Sequence, residues 1–305
     1  MTKENTPAEW NGELRGKAAI EHLAEVYQQL YLRPDETGAA EYHRIVRTGA
    51  EANQKSLAHF HGDERDRLYR EETPAGSVLV LTLYMRADFE LFLQIMANRC
   101  VPQEIPATQG AAILDGVVNW QRIRRHQEAF FQQEIAAGNL FPDWPSEFKR
   151  FTADKRNCKD ALIVLSVGPY SGIPAERLGL DLEEWTERSH VIRRVHECTH
   201  FVCRRLYPGK IDAVWDELVA DSVGIYAAFG AFDLSMEEVF LGIAEGRYVG
   251  GRLKNYAGDA DPDALAKIAH STLLRIGEVF GEHPKDSPYD IAIALEEQKE
   301  KLWNQ

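Results

Sequence analysis

Two short runs concentrate the chemistry of this chain, His196-Glu197-Cys198-Thr199-His200 and Asp216-Glu217-Leu218-Val219-Ala220-Asp221. On a helix, histidines four residues apart share one face, so the first run aims two imidazoles at a single point with the Glu197 carboxylate beside them. The second run can supply what that point lacks, a third anionic ligand and a carboxylate to brace an imidazole. Two neutral imidazoles and one carboxylate around zinc leave a fourth position open, the arrangement of catalytic rather than structural zinc sites. The other reading of the same residues is an internal ion-pair cluster without a metal.

Such groups need elements to hold them. The segment from about Thr186 to Tyr207 reads as one helix. Its apolar residues Val191, Ile192, Val195, Cys198, Phe201, Val202 and Leu206 cover much of the circumference, as in a buried helix. Histidines and a glutamate inside such a helix require partners or a metal, because uncompensated polar burial is costly. Pro208-Gly209 stops the helix. A second helix from roughly Asp212 to Phe229 brings Glu217 and Asp221 onto one face at i, i+4 spacing. A hairpin of two such helices can aim both pairs at one ion.

The pairing of HExxH with a downstream Glu-x-x-x-Asp on the next helix resembles the gluzincin metallopeptidases, the group that includes thermolysin-like proteases. The resemblance implies one Zn2+ per chain held by His196, His200 and Glu217, with Glu197 as general base and Asp221 bonded to the far nitrogen of a ligand histidine. It covers only about residues 190 to 226. The three-histidine zincin pattern needs a Gly three residues after the second His and a His three later; here those positions are Cys203 and Leu206.

On this resemblance the protein is expected to be a zinc metallohydrolase. Glu197 takes a proton from water acidified by the metal as it attacks a carbonyl carbon, then passes it to the leaving nitrogen. The expected substrate is a peptide or protein, with a small amide as the alternative. A non-catalytic regulatory protein that keeps the metal site is the alternative outside enzymes. A donor for the developing oxyanion is also required. The candidates are Tyr226, Tyr248, Arg252, Tyr256 and His270, of which Tyr248, Arg252 and Tyr256 lie in the Gly-rich stretch 246–256.

Composition narrows the partners. The 305 residues carry a formal net charge of −13, and the pI is about 5.3. That balance argues against binding nucleic acid through its phosphates and against an anionic membrane surface. The Arg193-Arg194 pair just before the motif is read mainly as a solvated face, with a substrate carboxylate as the less favoured role. The polar segment 1–10 has no signal-peptide pattern, and the longest apolar run, Val78 to Met85, falls far short of the roughly 20 residues of a membrane helix. Cys100, Cys158, Cys198 and Cys203 form no CxxC pair, which favours a reduced compartment. A cytoplasmic protein is the expectation, with Cys198 and Cys203 as small buried hydrophobes.

The remaining periodicity predicts an α+β, predominantly helical fold, with a zincin-like metal-binding helix pair beside a small sheet. Helices are expected over 17–32, about 39–60, from a cap at Asp88 to about Asn98, 120–136, 262–281 and 287–303. Strands are expected over 77–84 and 161–167, with 111–118 a short strand or turn. An N-terminal helical region, 1–70, precedes a catalytic region, 71–305, the two being separable or continuous. The turn Gly168-Pro-Tyr-Ser-Gly172 is placed either at a cleft mouth, near substrate, or as a plain connection. His59 and His61 are read as a polar helix end rather than a second metal site.

Overall fold

Apolar runs without alternation form the middle of the sheet, and polar-flanked ones form its rim. A computed structural model describes residues 12–209, 212–283 and 285–303; the segment 1–10 read above lies outside them. The strands are β1 (Glu13–Arg15), β2 (Arg67–Thr73), β3 (Gly76–Leu83), β4 (Ala111–Val118), β5 (Lys159–Ser166), β6 (Ile243–Ala244) and β7 (Arg247–Tyr248). The first five make a mixed sheet in the order β1-β2-β3-β5-β4, and β6 pairs antiparallel with β7. Val78 to Leu83 and Ala161 to Ser166 are buried without interruption. Interior strands covered on both faces have this signature.

The helices are α1 (Lys17–Val26), α2 (Glu36–Thr48), α3 (Arg86–Met96), α4 (Trp120–Ala136), α5 (Trp144–Ala153), α6 (Leu182–Leu206), α7 (Ala213–Phe229), α8 (Leu234–Leu241), α9 (Pro262–Glu282), α10 (Pro288–Glu297) and α11 (Lys299–Trp303). The fold is α+β and predominantly helical, as the periodicity predicts. No described helix is long and apolar enough to cross a membrane.

Several elements differ from expectation for identifiable reasons. The helix expected over 39–60 is α2, which ends at Thr48 because Gly49 adopts a left-handed cap with φ 70°. Asp88 does not cap α3. It lies inside the first turn, and its carboxylate accepts hydrogen bonds from the backbone N–H groups of His61 and Gly62. Residues 111–118 are a strand, and the final helix breaks at Gln298 into α10 and α11. Strand β2, with its polar run Arg70-Glu-Glu-Thr73, and helix α5, opened by the Asp143 cap and Pro145, have no counterpart among the predicted elements.

Two compact units share the chain. One takes in residues up to Arg70, Leu79–Ile105 and Ile113–Val164; the other takes in Glu71–Val78, Pro106–Ala112 and Leu165–Gln305. Residues 79–105 and 113–164 group with the N-terminal residues in the first unit. Strands β2, β3, β4 and β5 each span a point where the assignment changes, because strand pairing joins segments that are distant in sequence. In the first unit, Leu23, Tyr27, Leu30, Leu81, Phe89 and Phe92 are buried. There Asp160 accepts from Tyr27, Asn119 and Arg122.

In the second unit, Trp185, Ile192, Ile225, Ala228 and Phe240 bury the apolar faces of α6, α7 and α8 against one another. Asp181 and Asp212 cap α6 and α7 through hydrogen bonds from first-turn N–H groups. Gly224 lets the two long helices approach. A Cβ there would meet the Ile192 carbonyl at 3.0 Å and its Cγ2 at 3.1 Å. Glycine inside a helix costs about 1 kcal/mol relative to alanine, so close approach is the physical reason for its presence.

Candidate metal centre

Helix α6 places His196 and His200 one turn apart, both buried, and α7 brings Glu217 opposite them. The two histidine Nε2 atoms are 3.0 Å apart. Glu217 Oε2 lies 3.6 Å from His196 Nε2, and Glu217 Oε1 lies 3.4 Å from His200 Nε2. A tetrahedral ion with nitrogen and oxygen ligands at about 2.0–2.1 Å holds those atoms about 3.3–3.4 Å apart. The closest approaches of 3.0, 3.4 and 3.6 Å, the last two made by different Glu217 oxygens, lie near that spacing, and one ligand atom from each residue lies within 4.8 Å of the others. The donor set of two imidazoles and a carboxylate therefore fits a divalent ion such as zinc.

The protonation states suit the same purpose. Burial, reinforced by the neighbouring His200, pushes the His196 imidazole down to about 4, so the ring is neutral near pH 7 and keeps a lone pair. Burial works to raise the Glu217 carboxyl, but a hydrogen bond with His200 and, among the charges facing it, the permanent one of Arg252 hold it below the usual carboxylate range. Glu217 is thus anionic. Glu197 is also buried, at 8 % exposure, and its charge acts on both His196 and Tyr256.

Behind the triangle lies Asp221, with no solvent exposure. Its Oδ1 accepts from His196 Nδ1 at 2.9 Å and from the Tyr170 hydroxyl at 2.6 Å, and its Oδ2 pairs with the Arg252 guanidinium. Arg252 Nη1 also donates to the Tyr170 oxygen at 3.2 Å. A buried carboxylate is tolerated when paired and hydrogen-bonded, and this one is both. The residue the resemblance assigned as a brace occupies that position geometrically.

Of the five candidate oxyanion donors, the fold brings two to the cluster. Arg252 opens a 3-10 turn (Arg252–Asn255), and Tyr256 closes it. Burial, partly offset by Arg252, raises the Tyr256 phenol, which also hydrogen-bonds Glu217; it remains protonated and able to donate. The other three bond elsewhere. The Tyr226 hydroxyl donates to the Asp286 carbonyl, Tyr248 bonds Gly251, and His270 Nδ1 lies 2.6 Å from a Glu238 oxygen.

The 168–172 turn also departs from expectation. Tyr170 is 5 % exposed, with its hydroxyl 3.0 Å from His196 Nδ1, and is not at a cleft mouth. Its place was not legible from local pattern, although Ser189, Arg193, His196 and His200 form a buried polar stripe along one face of α6 that points toward it. Arg193 and Arg194 are structural here. Arg193 donates to the carbonyls of Gly168 and Pro169, and Arg194 pairs with Glu71. Cys198 is fully buried, and burial pushes its thiol up to about 12. His59 bonds the Leu30 carbonyl and His61 bonds Asp88, separate structural roles.

No curated protein and no solved structure matches the chain. Residues 5–276 match the model of a family of unknown function, DUF7005, and the chain belongs to that family.

Proposed function

We propose that the protein is a zinc-dependent hydrolase of the gluzincin type that cleaves amide bonds, with a peptide as the preferred substrate class. The observation that carries this reading is the His196, His200, Glu217 cluster, whose ligand atoms lie within 4.8 Å of one another, with Glu197 buried beside His196 and outside the ligand set. A purely structural ion would be enclosed by four protein ligands and would have no use for that extra carboxylate.

The roles follow from the residues. His196 and His200 offer neutral nitrogens and Glu217 an anionic oxygen, which would hold the ion. When bound, zinc supplies Lewis acidity toward a carbonyl oxygen and toward water. Glu197 accepts the proton of the attacking water and returns it to the leaving nitrogen. Tyr256, kept protonated by burial, donates to the oxygen on which negative charge develops. Asp221 holds His196 by Nδ1, leaving Nε2 toward the ion.

The test is a peptide-library digest with zinc-loaded wild type beside Glu197→Gln. Cleavage by the wild type and a loss of at least a hundredfold in the variant, with zinc retained, is the expected pair of results. Equal cleavage by both proteins would remove Glu197 from the mechanism. Absence of cleavage by the zinc-loaded wild type would overturn the peptidase reading.

A further inference from the structure

Asp221 is the point where three separate chain segments meet, and one of them enters through Tyr170, whose ring packs in the apolar cluster while its hydroxyl reaches the carboxylate. Tyr170 lies in a short turn after β5, and several groups independently hold it there. Its backbone N–H donates to the Ser189 hydroxyl at 2.9 Å. Arg193 anchors the preceding Gly168 and Pro169 carbonyls. The guanidinium groups of Arg193 and Arg252 lie 5.7 and 5.2 Å from the ring centre, and Phe240 meets the ring edge-on. The following residue, Ser171, adopts a left-handed conformation with φ 52° that few non-glycine residues take. So many restraints on one buried phenol leave its oxygen a single position.

From that position the hydrogen-bond directions are determined. An ionised carboxylate can only accept, so Tyr170 O–H and His196 Nδ1–H both donate to Asp221 Oδ1. With its proton committed, the Tyr170 oxygen presents lone pairs to His196 Nδ1 at 3.0 Å and to Arg252 Nη1 at 3.2 Å. His196 Nδ1 therefore faces two acceptors, and its proton resides there. The opposite nitrogen, Nε2, is left bare toward His200 and Glu217.

We propose that Tyr170 is a positioning residue of the metal centre, fixing the Asp221 carboxylate and, through it, the tautomer and ring angle of His196, while Arg252 supplies the countercharge. The inference rests on the reading of His196, His200 and Glu217 as metal ligands. Partners at this remove from a metal typically change its affinity 10–100-fold when removed.

The test is a zinc titration of the full chain against a chromophoric chelator, for wild type, Tyr170→Phe and Tyr226→Phe, with circular dichroism as the check on folding. Tyr170→Phe should bind zinc about 10–100-fold more weakly, and Tyr226→Phe as wild type does. Wild-type affinity in Tyr170→Phe, or an equal loss in both variants, overturns the positioning role and leaves the metal site standing. A wild type that takes up no zinc overturns the site and the positioning role together. A second measurement is independent of how well the variant folds: 15N NMR of the metal-free wild type should show His196 protonated at Nδ1. The Nε2–H form would overturn the proposal.

Discussion

Asp221 and Arg252 form a buried ion pair whose strength can be measured apart from any metal or reaction. Asp221 has no solvent exposure, whereas the Arg252 side chain retains 17 %. Replacing Arg252 with Met keeps the packed methylenes and removes the countercharge. Leaving one member of a buried pair uncompensated costs about 3–5 kcal/mol. Two donors, Tyr170 O–H and His196 Nδ1–H, would still serve the carboxylate, which places the expectation near about 3 kcal/mol, the lower end of that range. Asp221→Asn leaves the cation behind, but Arg252 is part-exposed, so about 1–2 kcal/mol is expected. The double variant should then be more stable than the sum of the singles implies, by about 2 kcal/mol, the scale of coupling between contacting residues. Urea unfolding in the presence of a chelator isolates this from any stabilisation by bound metal. Additivity within about 0.5 kcal/mol would refute the pairing argument.

Other perturbations address other parts of the structure. Glu237 is wholly buried, accepts from the Ser222 hydroxyl, and burial raises its carboxyl well above the usual range. It is neutral when folded and ionises on unfolding, so its contribution is unaffected at low pH and turns against the fold as pH rises above the ordinary glutamate value. Glu237→Gln should therefore be more stable than wild type at pH 7 and equal to it near pH 4 in urea unfolding; a variant less stable at pH 7 would contradict this. Gly224→Ala should push α6 from α7 at Ile192, costing about 1–3 kcal/mol by overpacking and weakening zinc binding with every ligand intact. A more stable Gly224→Ala protein would show that the close helix approach is not needed. Zinc at a hundred times its dissociation constant should stabilise the wild type by about 2.7 kcal/mol against urea; the absence of such a shift would count against a folded-state site.

What could be read in the sequence was what repeats locally. The 3.6-residue period exposed α6 and α7, the Pro208-Gly209 break separated them, and i, i+4 spacing brought out both the histidine pair and the Glu217/Asp221 pair. Strands β3 and β5 were legible because each is a continuous apolar run, buried on both faces. Strand β2 was not, since Arg70, Glu71 and Glu72 conceal its pairing, and the end of α2 depended on one left-handed glycine. Asp221 was legible from its spacing to Glu217, but the residues that hold Asp221 were beyond local pattern. Tyr170 and Arg252 lie 51 and 31 residues from Asp221, and only the fold of three segments brings them to it. The five candidate donors could not be ranked for the same reason: Tyr226 lies on α7 with Glu217, yet it is Arg252 and Tyr256 from a separate turn that join the cluster.

Zinc content measured by elemental analysis after purification in zinc-supplemented medium tests the central claim most directly, with wild type, Glu217→Gln and Glu197→Gln compared side by side. About one zinc per chain is expected in the wild type and in Glu197→Gln, and a severalfold lower content in Glu217→Gln, since only Glu217 belongs to the ligand triangle. A metal-free wild type, or full zinc occupancy in Glu217→Gln, would contradict the assignment of His196, His200 and Glu217 as a metal centre.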